Sequence, residues 1–186
     1  MSLPGELAQV LAEDAEAIAA LHDRELTTET LAALREVGFP ANLGLLPAGE
    51  QSLEAWRLMA AALEETSAAD LDLLAADYAA IYLTGAYGAS PCESVWLDDD
   101  HLACQAPMFE LRKLYAEAGL AAMDWRKRPD DHLVLQLLFI ANVLRRSCGV
   151  DELRRLAAML DEHLLRWLPD FAARVAARAE TPFFAV

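Results

Sequence analysis

The amino-acid sequence predicts an all-α protein, a single-domain bundle of roughly eight to ten helices. Apolar residues recur at three- and four-residue spacing through most of the chain, and no run alternates convincingly between apolar and polar residues. The segment from Leu133 to Leu144 is almost continuously apolar, interrupted only by Gln136 and Asn142. A helix that is apolar on all sides is usually surrounded by other helices, so this stretch predicts a central helix over about residues 130–147.

The sequence pattern in the first part of the chain predicts four helices. One spans about residues 4–23, one follows a cap at Thr27 or Thr28, one spans about residues 51–65, and one is capped by Ser67. In the first helix, the apolar residues that recur near helical spacing are Leu7, Val10, Leu11, Ile18 and Leu21. The 186 residues fit one domain, residues 1–186, because chains of this size bury a core without disulfides or metals.

A long loop is predicted over about residues 83–101, where glycines and a proline remove the helical period. Loops of this length are usually functional or disordered. A helix over about residues 102–119 follows. Beyond the central helix, an apolar stripe predicts another helix that begins at about Asp151 and is bent or restarted at Pro169.

The start of the central helix carries an ionisable pair, Asp131 and His132. An acidic residue there is placed to accept hydrogen bonds from the free backbone N–H groups of the first turn. Capping and structural hydrogen bonding is therefore the favoured role of the pair. General acid–base catalysis is the alternative, but neighbours in sequence point about 100° apart on a helix and need not touch.

The balance of charge limits the partners. With 15 basic and 30 acidic residues, the formal net charge is −15, which argues against nucleic acid and anionic membrane surfaces. A basic partner suits this charge, although acidity also simply keeps an apolar, alanine-rich chain soluble.

Motifs for cofactors are missing from the sequence. The three cysteines, Cys92, Cys104 and Cys148, form no C-x-x-C pair and predict small core residues in a reducing cytoplasm. No histidine spacing suits a metal, and neither a phosphate-binding loop nor a G-x-G-x-x-G motif occurs. No stretch reaches the roughly 20 apolar residues of a transmembrane helix, and no secretory signal is recognised. We therefore expect a cytoplasmic protein with no cofactor and no membrane insertion.

Aromatic residues lie close in sequence to carboxylates around the long loop. The aromatic and apolar members are Tyr78, Tyr82, Tyr87, Trp96 and Leu97, and the acidic members are Glu93, Asp98, Asp99 and Asp100. Such a surface suits a peptide with apolar and arginine residues. Composition leaves the alternative open, in which the aromatics are core and Asp98 to Asp100 form a solvated turn.

Several ordered motifs resemble one family. They are Tyr78-x-x-Ile81-Tyr82-Leu83-x-Gly85, Ser90-Pro91-Cys92-Glu93-Ser94-Val95-Trp96-Leu97, Tyr115-x-x-x-Gly119-Leu120, Pro129-Asp130-Asp131-His132-Leu133 and Leu137-x-Phe139. Together they resemble the TorD/DmsD/NarJ-like family of redox-enzyme maturation chaperones. One departure is Gln136, which stands where many members of that family have a glutamate.

The resemblance implies a TorD-like fold and a chaperone rather than an enzyme. Such a chaperone binds the twin-arginine signal peptide and the apo form of a molybdopterin-containing oxidoreductase until its cofactor is loaded, and so prevents premature export by the twin-arginine translocation (Tat) route. It implies no cofactor beyond weak guanine-nucleotide (GTP) binding, and a monomer or domain-swapped dimer. The peptide-binding residues expected from the motifs and the aromatic surface are Tyr78, Tyr82, Gly85, Tyr87, Pro91, Glu93, Ser94, Trp96, Asp131 and His132.

Two other functions stay open at this point. A nucleotide-binding or hydrolytic enzyme would use Asp131 and His132 as its acid–base pair. A structural assembly subunit would stay permanently bound to a reductase.

Overall fold

The computed structural model describes residues 4–146 and 149–186, and it confirms an all-α fold. Cys148 therefore lies outside the described residues, as does the predicted end of the central helix at residue 147. The chain divides into two compact units. Unit 1 contains residues 4–23 and Ser90–Phe171, and unit 2 contains Arg24–Ala89 and Ala172–Val186. The expectation of one domain over residues 1–186 stays a prediction.

Unit 1 is built from helices whose bounds are as follows. They are α1 (Gly5–Asp23), α5 (Ser94–Leu97), α6 (Ala106–Glu117), α7 (Leu133–Arg146), α8 (Val150–Met159) and the first part of α9 (Leu165–Ala176). A π-helical turn, Leu160–Leu164, joins α8 to α9 without a break. Pro169 lies inside α9, so the helix continues past it although proline has no N–H to donate to the preceding turn.

Helices α1 and α7 pack against each other through small side chains. Ala8, Ala12, Ala15 and Ala19 of α1 are buried, whereas Leu7 and Val10 are exposed. The apolar residues Leu7 and Val10 therefore lie outside the buried face of α1. The reason is close packing: Ala12 and Ala15 lie in one core cluster with Ala141 and Leu144 of α7, and small side chains let two helices approach closely.

The central helix α7 starts at Leu133, three residues later than predicted. The preceding residues pair with another segment instead of entering the helix. Phe139 packs on Leu111, Tyr115 and Met159 in a second core cluster. However, Leu138 is 42% exposed, so α7 is not surrounded on all sides as predicted.

The predicted loop at residues 83–101 and the helix that follows it differ from the structure. A short helix, α5, interrupts the loop, and α6 begins at Ala106 rather than at residue 102. Asp98 accepts hydrogen bonds from the backbone N–H groups of Asp100 and Leu102. Asp99 and Asp100 are exposed, in agreement with the solvated-turn alternative for this acidic run.

Unit 2 contains α2 (Thr28–Glu36), α3 (Glu50–Glu65), α4 (Leu71–Tyr78), the end of α9 and α10 (Pro182–Ala185). A 3₁₀ turn, Ala68–Asp70, precedes α4, and a π-helical turn, Ala79–Leu83, extends it. The two predicted caps are confirmed: Thr27 accepts from the N–H of Thr30, and Ser67 forms a capping box with Asp70.

A buried carboxylate ties the C-terminal segment of unit 2 to α4. Asp77 is 1% exposed and accepts from the backbone N–H groups of Glu180 and Thr181, at 3.0 and 2.8 Å, and from the Thr181 hydroxyl. It also accepts a 2.6 Å hydrogen bond from the Tyr87 hydroxyl. Burial alone would raise the pKa of Asp77, but these donors outweigh it and the pKa is lowered.

Candidate functional site

Two segments of unit 1 that are about 40 residues apart in sequence lie side by side. These are Ser90–Leu97 and Pro129–Gln136. The N–H of Leu133 donates to the carbonyl of Pro91 at 2.8 Å, and the N–H of Glu93 donates to the carbonyl of Asp131 at 3.2 Å. An antiparallel bridge pairs Cys92 with His132. The backbone groups just before α7 are therefore used to hold the other segment, which explains why the helix starts at Leu133.

Asp131 is completely buried and bonds across to the other segment. Its Oδ2 accepts from the N–H of Ser94 at 2.8 Å, and its Oδ1 has no hydrogen-bond partner within the described structure. The predicted role of Asp131 as a cap of α7 is therefore wrong, because its carboxylate serves the start of α5. Structural hydrogen bonding, the other half of that prediction, is confirmed.

The cap of α7 is the ring of His132. Its Nδ1 accepts from the N–H of Val134 at 3.1 Å, so the neutral ring carries its proton on Nε2. Burial, followed by the positive charges of Arg128 and His22, lowers the pKa of His132 to about 3, against a smaller opposing effect of Asp23. His132 is therefore neutral at pH 7. The two side chains, Asp131 and His132, make separate hydrogen bonds.

A buried polar network lies behind this pair. Glu93 is 1% exposed, and its Oε2 accepts from Nε2 of Gln136 at 3.0 Å. The same Nε2 donates to the carbonyl of Asp131 at 3.0 Å. The other carboxylate oxygen of Glu93, Oε1, lies 2.8 Å from Nδ1 of His163, which is also buried. The network thus connects both segments of the site to the π-helical turn between α8 and α9.

His163 and Glu93 form an ion pair when the imidazole ring is protonated. Burial lowers the pKa of His163, but the hydrogen bond and the charge of Glu93, helped by the charges of Glu110 and Glu162, outweigh it and raise that pKa above 6.5. In its protonated form, His163 compensates the charge of the buried Glu93 carboxylate. The pair contributes full stability below the ordinary histidine pKa and loses it as the pH rises through the raised value.

Arg112 of α6 fixes the residue before Asp131. Its Nη2 and Nε lie 2.7 and 3.0 Å from Oδ2 of Asp130, whose side chain is 3% exposed. The Tyr115 hydroxyl donates to the carbonyl of the same aspartate at 2.9 Å. The rings of Phe109 and Trp125 lie 5.3 and 4.8 Å from the Arg112 guanidinium. The carboxylate and the carbonyl of Asp130 are therefore both held from α6.

Trp96 and Cys92 complete the site in unit 1. The indole N–H of Trp96 donates to the carbonyl of Ser90 at 2.8 Å, and its ring meets Phe171 edge-on at 6.4 Å. Cys92 is buried, as predicted, whereas Cys104 is half-buried. Burial, with the nearby charge of Asp131, raises the pKa of the Cys92 thiol to about 12, so this thiol is not a nucleophile at neutral pH.

The structure brings six of the ten predicted site residues together in unit 1. These are Pro91, Glu93, Ser94, Trp96, Asp131 and His132. The other four, Tyr78, Tyr82, Gly85 and Tyr87, belong to unit 2. There, the rings of Tyr78 and Tyr82 are 4.7 Å apart, and Gly85 adopts a positive φ of 64° that favours glycine.

An open groove lies beside this site in unit 1. It has a volume of about 500 Å³ between the segment Leu120–Arg128 and α7. Its walls are mainly apolar and include Leu135, Leu138 and Phe139. Oδ1 of Asn142, a residue that lines the groove, is buried and has no hydrogen-bond partner in the described structure. The groove therefore offers mainly apolar area to a ligand.

Motifs and spacing do not identify His163, Arg112 and Asp130 as parts of the site. A signal for His163 was available, because it falls in the apolar stripe between Leu160 and Trp167 at the spacing of a buried helix face. A histidine on such a face needs a partner. Nothing in the sequence names Glu93 as that partner, 70 residues away.

Comparison with known proteins places this arrangement in a family. The family profile described as nitrate reductase delta subunit matches residues 47–173, which include both segments of the site. The chain belongs to this family. It is similar to the chaperone protein TorD of Photobacterium profundum, with 30% identity over 172 residues that cover 87% of this chain and 79% of that protein.

Two further relatives carry chaperone names. The chaperone protein TorD of Vibrio parahaemolyticus is 29% identical over 164 residues, covering 83% of this chain and 74% of its own length. The chaperone protein YcdY of Escherichia coli is 30% identical over 115 residues, covering 62% and 57%. These names support the family resemblance of the sequence motifs, and they are names of chaperones rather than of enzymes.

The described residues contain neither a metal-binding cluster nor a membrane-spanning helix. Over residues 4–146 and 149–186, no group of three or more His, Cys, Asp or Glu side chains is arranged to hold a metal ion. In the same part of this family member, no helix is both long enough and apolar enough to cross a membrane.

Proposed function

We propose that this protein is a chaperone that binds the twin-arginine signal peptide and the apo form of a molybdopterin-containing oxidoreductase. It holds this client in the cytoplasm while the cofactor is inserted, and it releases the client for export. The observation that carries the proposal is the similarity, over 87% of the chain, to a protein named a chaperone. Family membership and the ordered motifs of the site support it.

The two segments of unit 1 supply a rigid base for such a peptide. Glu93, Ser94 and Asp131 are each at most 1% exposed, so in this conformation they support the site from inside. Their hydrogen bonds fix Ser90–Leu97 on the start of α7. A binding surface whose residues are already held in place loses less entropy when a peptide binds.

The groove beside them suits the apolar part of a signal peptide. Leu138 is 42% exposed on one wall, and Met123 is fully exposed at the edge. Methionine is flexible and adapts to different apolar side chains. We propose that the apolar stretch of the peptide lies in this groove.

Charge favours the arginine part of the peptide. The protein carries a net charge of −15, and guanidinium groups pair with carboxylates by two parallel hydrogen bonds. Asp124 lines the groove and forms an ion pair with Lys127, with 3.5 Å between Oδ2 and Nζ. The side chains of both residues are exposed. Such a pair is weak, so an incoming arginine competes with Lys127 at little cost.

A hydrolytic enzyme, the alternative function, would need Asp131 and His132 to act together as an acid–base pair. Asp131 bonds to Ser94 and His132 bonds to Val134, so the carboxylate does not orient the ring. The accompanying proposals are that the protein carries no cofactor of its own, with GTP binding at most weak, and that it works as a monomer or a domain-swapped dimer.

Isothermal titration with a twin-arginine peptide tests the proposed function. The peptide is taken from a molybdoenzyme encoded beside this gene, and the control is its Lys–Lys variant. We expect the Lys–Lys peptide to bind at least about tenfold more weakly, because lysine forms one point contact where arginine forms two hydrogen bonds. Equal affinity for both peptides, or no binding of either, would contradict the proposal.

A further inference from the structure

We infer that His163 is a positioning residue for peptide binding: it sets the conformation of the segment Ser90–Leu97 through Glu93. This inference rests on the proposed function. His163 is buried and is not among the residues that line the groove. A chain of buried contacts connects His163 to this segment.

The first contact in this chain joins the Glu93 carboxylate to His163. This carboxylate is buried, and His163 is its cationic partner, at 2.8 Å, in the described part of the chain. A buried carboxylate without a cationic partner is costly, so removal of His163 leaves Glu93 either protonated or in a new position. Either change alters the residue at the centre of Ser90–Leu97.

The second step is that Glu93 is held at both its backbone and its side chain. Its N–H bonds to the carbonyl of Asp131, and its carboxylate bonds to Gln136 and His163. The next N–H, of Ser94, bonds to the Asp131 carboxylate. Movement of Glu93 would therefore disturb its hydrogen bonds to Asp131 and to Gln136 of α7. The pairing between the two segments of the site would then shift.

The third step is the location of His163 in a π-helical turn. The turn Leu160–Leu164 contains one wider ring of hydrogen bonds inside an otherwise regular helix, and such turns occur frequently at functional sites. It places His163 among buried side chains, next to Leu164, while Asp161 and Glu162 stay exposed. A well-packed apolar side chain at position 163 would stabilise the fold equally well. The buried ion pair is therefore better explained by its effect on the position of Glu93.

The charge of His163 makes the inference testable by pH. The groups that act on it are Glu93 from the site segment, Glu110 from α6 and Glu162 from its own turn, and all three favour the protonated ring. When the pH rises through its raised pKa, the ring loses its charge and no longer compensates Glu93. Wild-type affinity should therefore fall above pH 6.5, the ordinary value for histidine.

The experiment measures peptide affinity from pH 6 to pH 9 with a peptide that contains no histidine. It compares the wild type with His163→Gln, which keeps a donor but no charge, and with His163→Leu, which keeps neither. We expect wild-type affinity to fall about tenfold over this range, the Gln variant to be flat, and the Leu variant to be flat and about tenfold weaker than the wild type at pH 6. Met159→Leu, a buried change one turn earlier, should keep the wild-type pH profile.

A second readout separates this inference from the proposed function. Hydrogen exchange at fixed pH should be faster in Ser90–Leu97 of His163→Leu, whereas α1 stays protected as in Met159→Leu. If the wild type binds no peptide, the proposed function fails, and exchange alone decides the positioning of the segment. A pH profile in His163→Gln equal to that of the wild type, or unchanged exchange in His163→Leu, would overturn the inference.

Discussion

Replacing Gln136 with glutamate is expected to lower the free energy of unfolding by about 3 kcal/mol at neutral pH. The substituted carboxylate would face the Glu93 carboxylate, whose Oε2 is 3.0 Å from the present amide nitrogen. Both groups are buried, so two like charges would be in contact without solvent between them. The donor to the Asp131 carbonyl would also be lost.

The pH dependence of this variant has a definite sign. Repulsion raises the folded-state pKa of the new carboxyl above its unfolded value of about 4.3, so the loss of stability grows as the pH rises above that value. Urea unfolding at pH 5 and pH 7 measures the difference. At pH 5 the variant should be closer to the wild type than at pH 7.

Two further variants separate charge from hydrogen bonding. Gln136→Met removes the amide without adding a charge and should cost about 1–2 kcal/mol at both pH values. Combining Gln136→Glu with Glu93→Gln restores one amide opposite one carboxylate and should recover part of the loss. A double variant no more stable than Gln136→Glu would show that carboxylate repulsion is not the cause.

The second large effect is expected at Asp77 of unit 2. Asp77→Ala should lower the free energy of unfolding by at least about 3 kcal/mol, because it removes the acceptor of several buried donors. These are the N–H groups of Glu180 and Thr181 and the hydroxyls of Thr181 and Tyr87. Proteolysis should then begin in the segment after α9, where these bonds hold the chain.

The matched control is Asp72→Ala, an exposed aspartate in the first turn of the same helix. It should change stability by no more than about 0.5 kcal/mol, which is the typical effect of a helix-dipole contact at the surface. The lowered pKa of Asp77 adds a pH test, since the stability that its carboxylate contributes is lost as the pH falls through that pKa. Equal effects of the two substitutions would contradict the assigned role of Asp77.

The helices were predictable because their signals are local. Spacing of apolar residues indicated α1, α3 and α7, and the caps at Thr27 and Ser67 follow from short-range hydrogen bonds. The buried face of α1 was not predictable from hydrophobicity, because alanines are buried there for their small size. Packing against α7, a tertiary effect, overrides the preference of Leu7 for the interior.

The motifs indicated some members of the buried network, but none of its contacts. The motifs pointed to Glu93, Ser94, Asp131 and His132, all of which lie together in unit 1. The sequence gives no distance between segments 40 residues apart, so capping was assigned to Asp131 when the His132 ring performs it. The contact of Glu93 with His163 joins residues 70 positions apart, and only the tertiary structure brings them together.

In the proposed function, the protein holds its client only temporarily. The family profile carries the description of a reductase subunit, whereas the named relatives are chaperones, and these two roles differ in release. Gel filtration of the protein with the apo client that carries its signal peptide, and separately with the mature cofactor-loaded client, distinguishes them. We predict co-elution with the apo client and none with the mature client. Stable co-elution with the mature client would contradict the chaperone function.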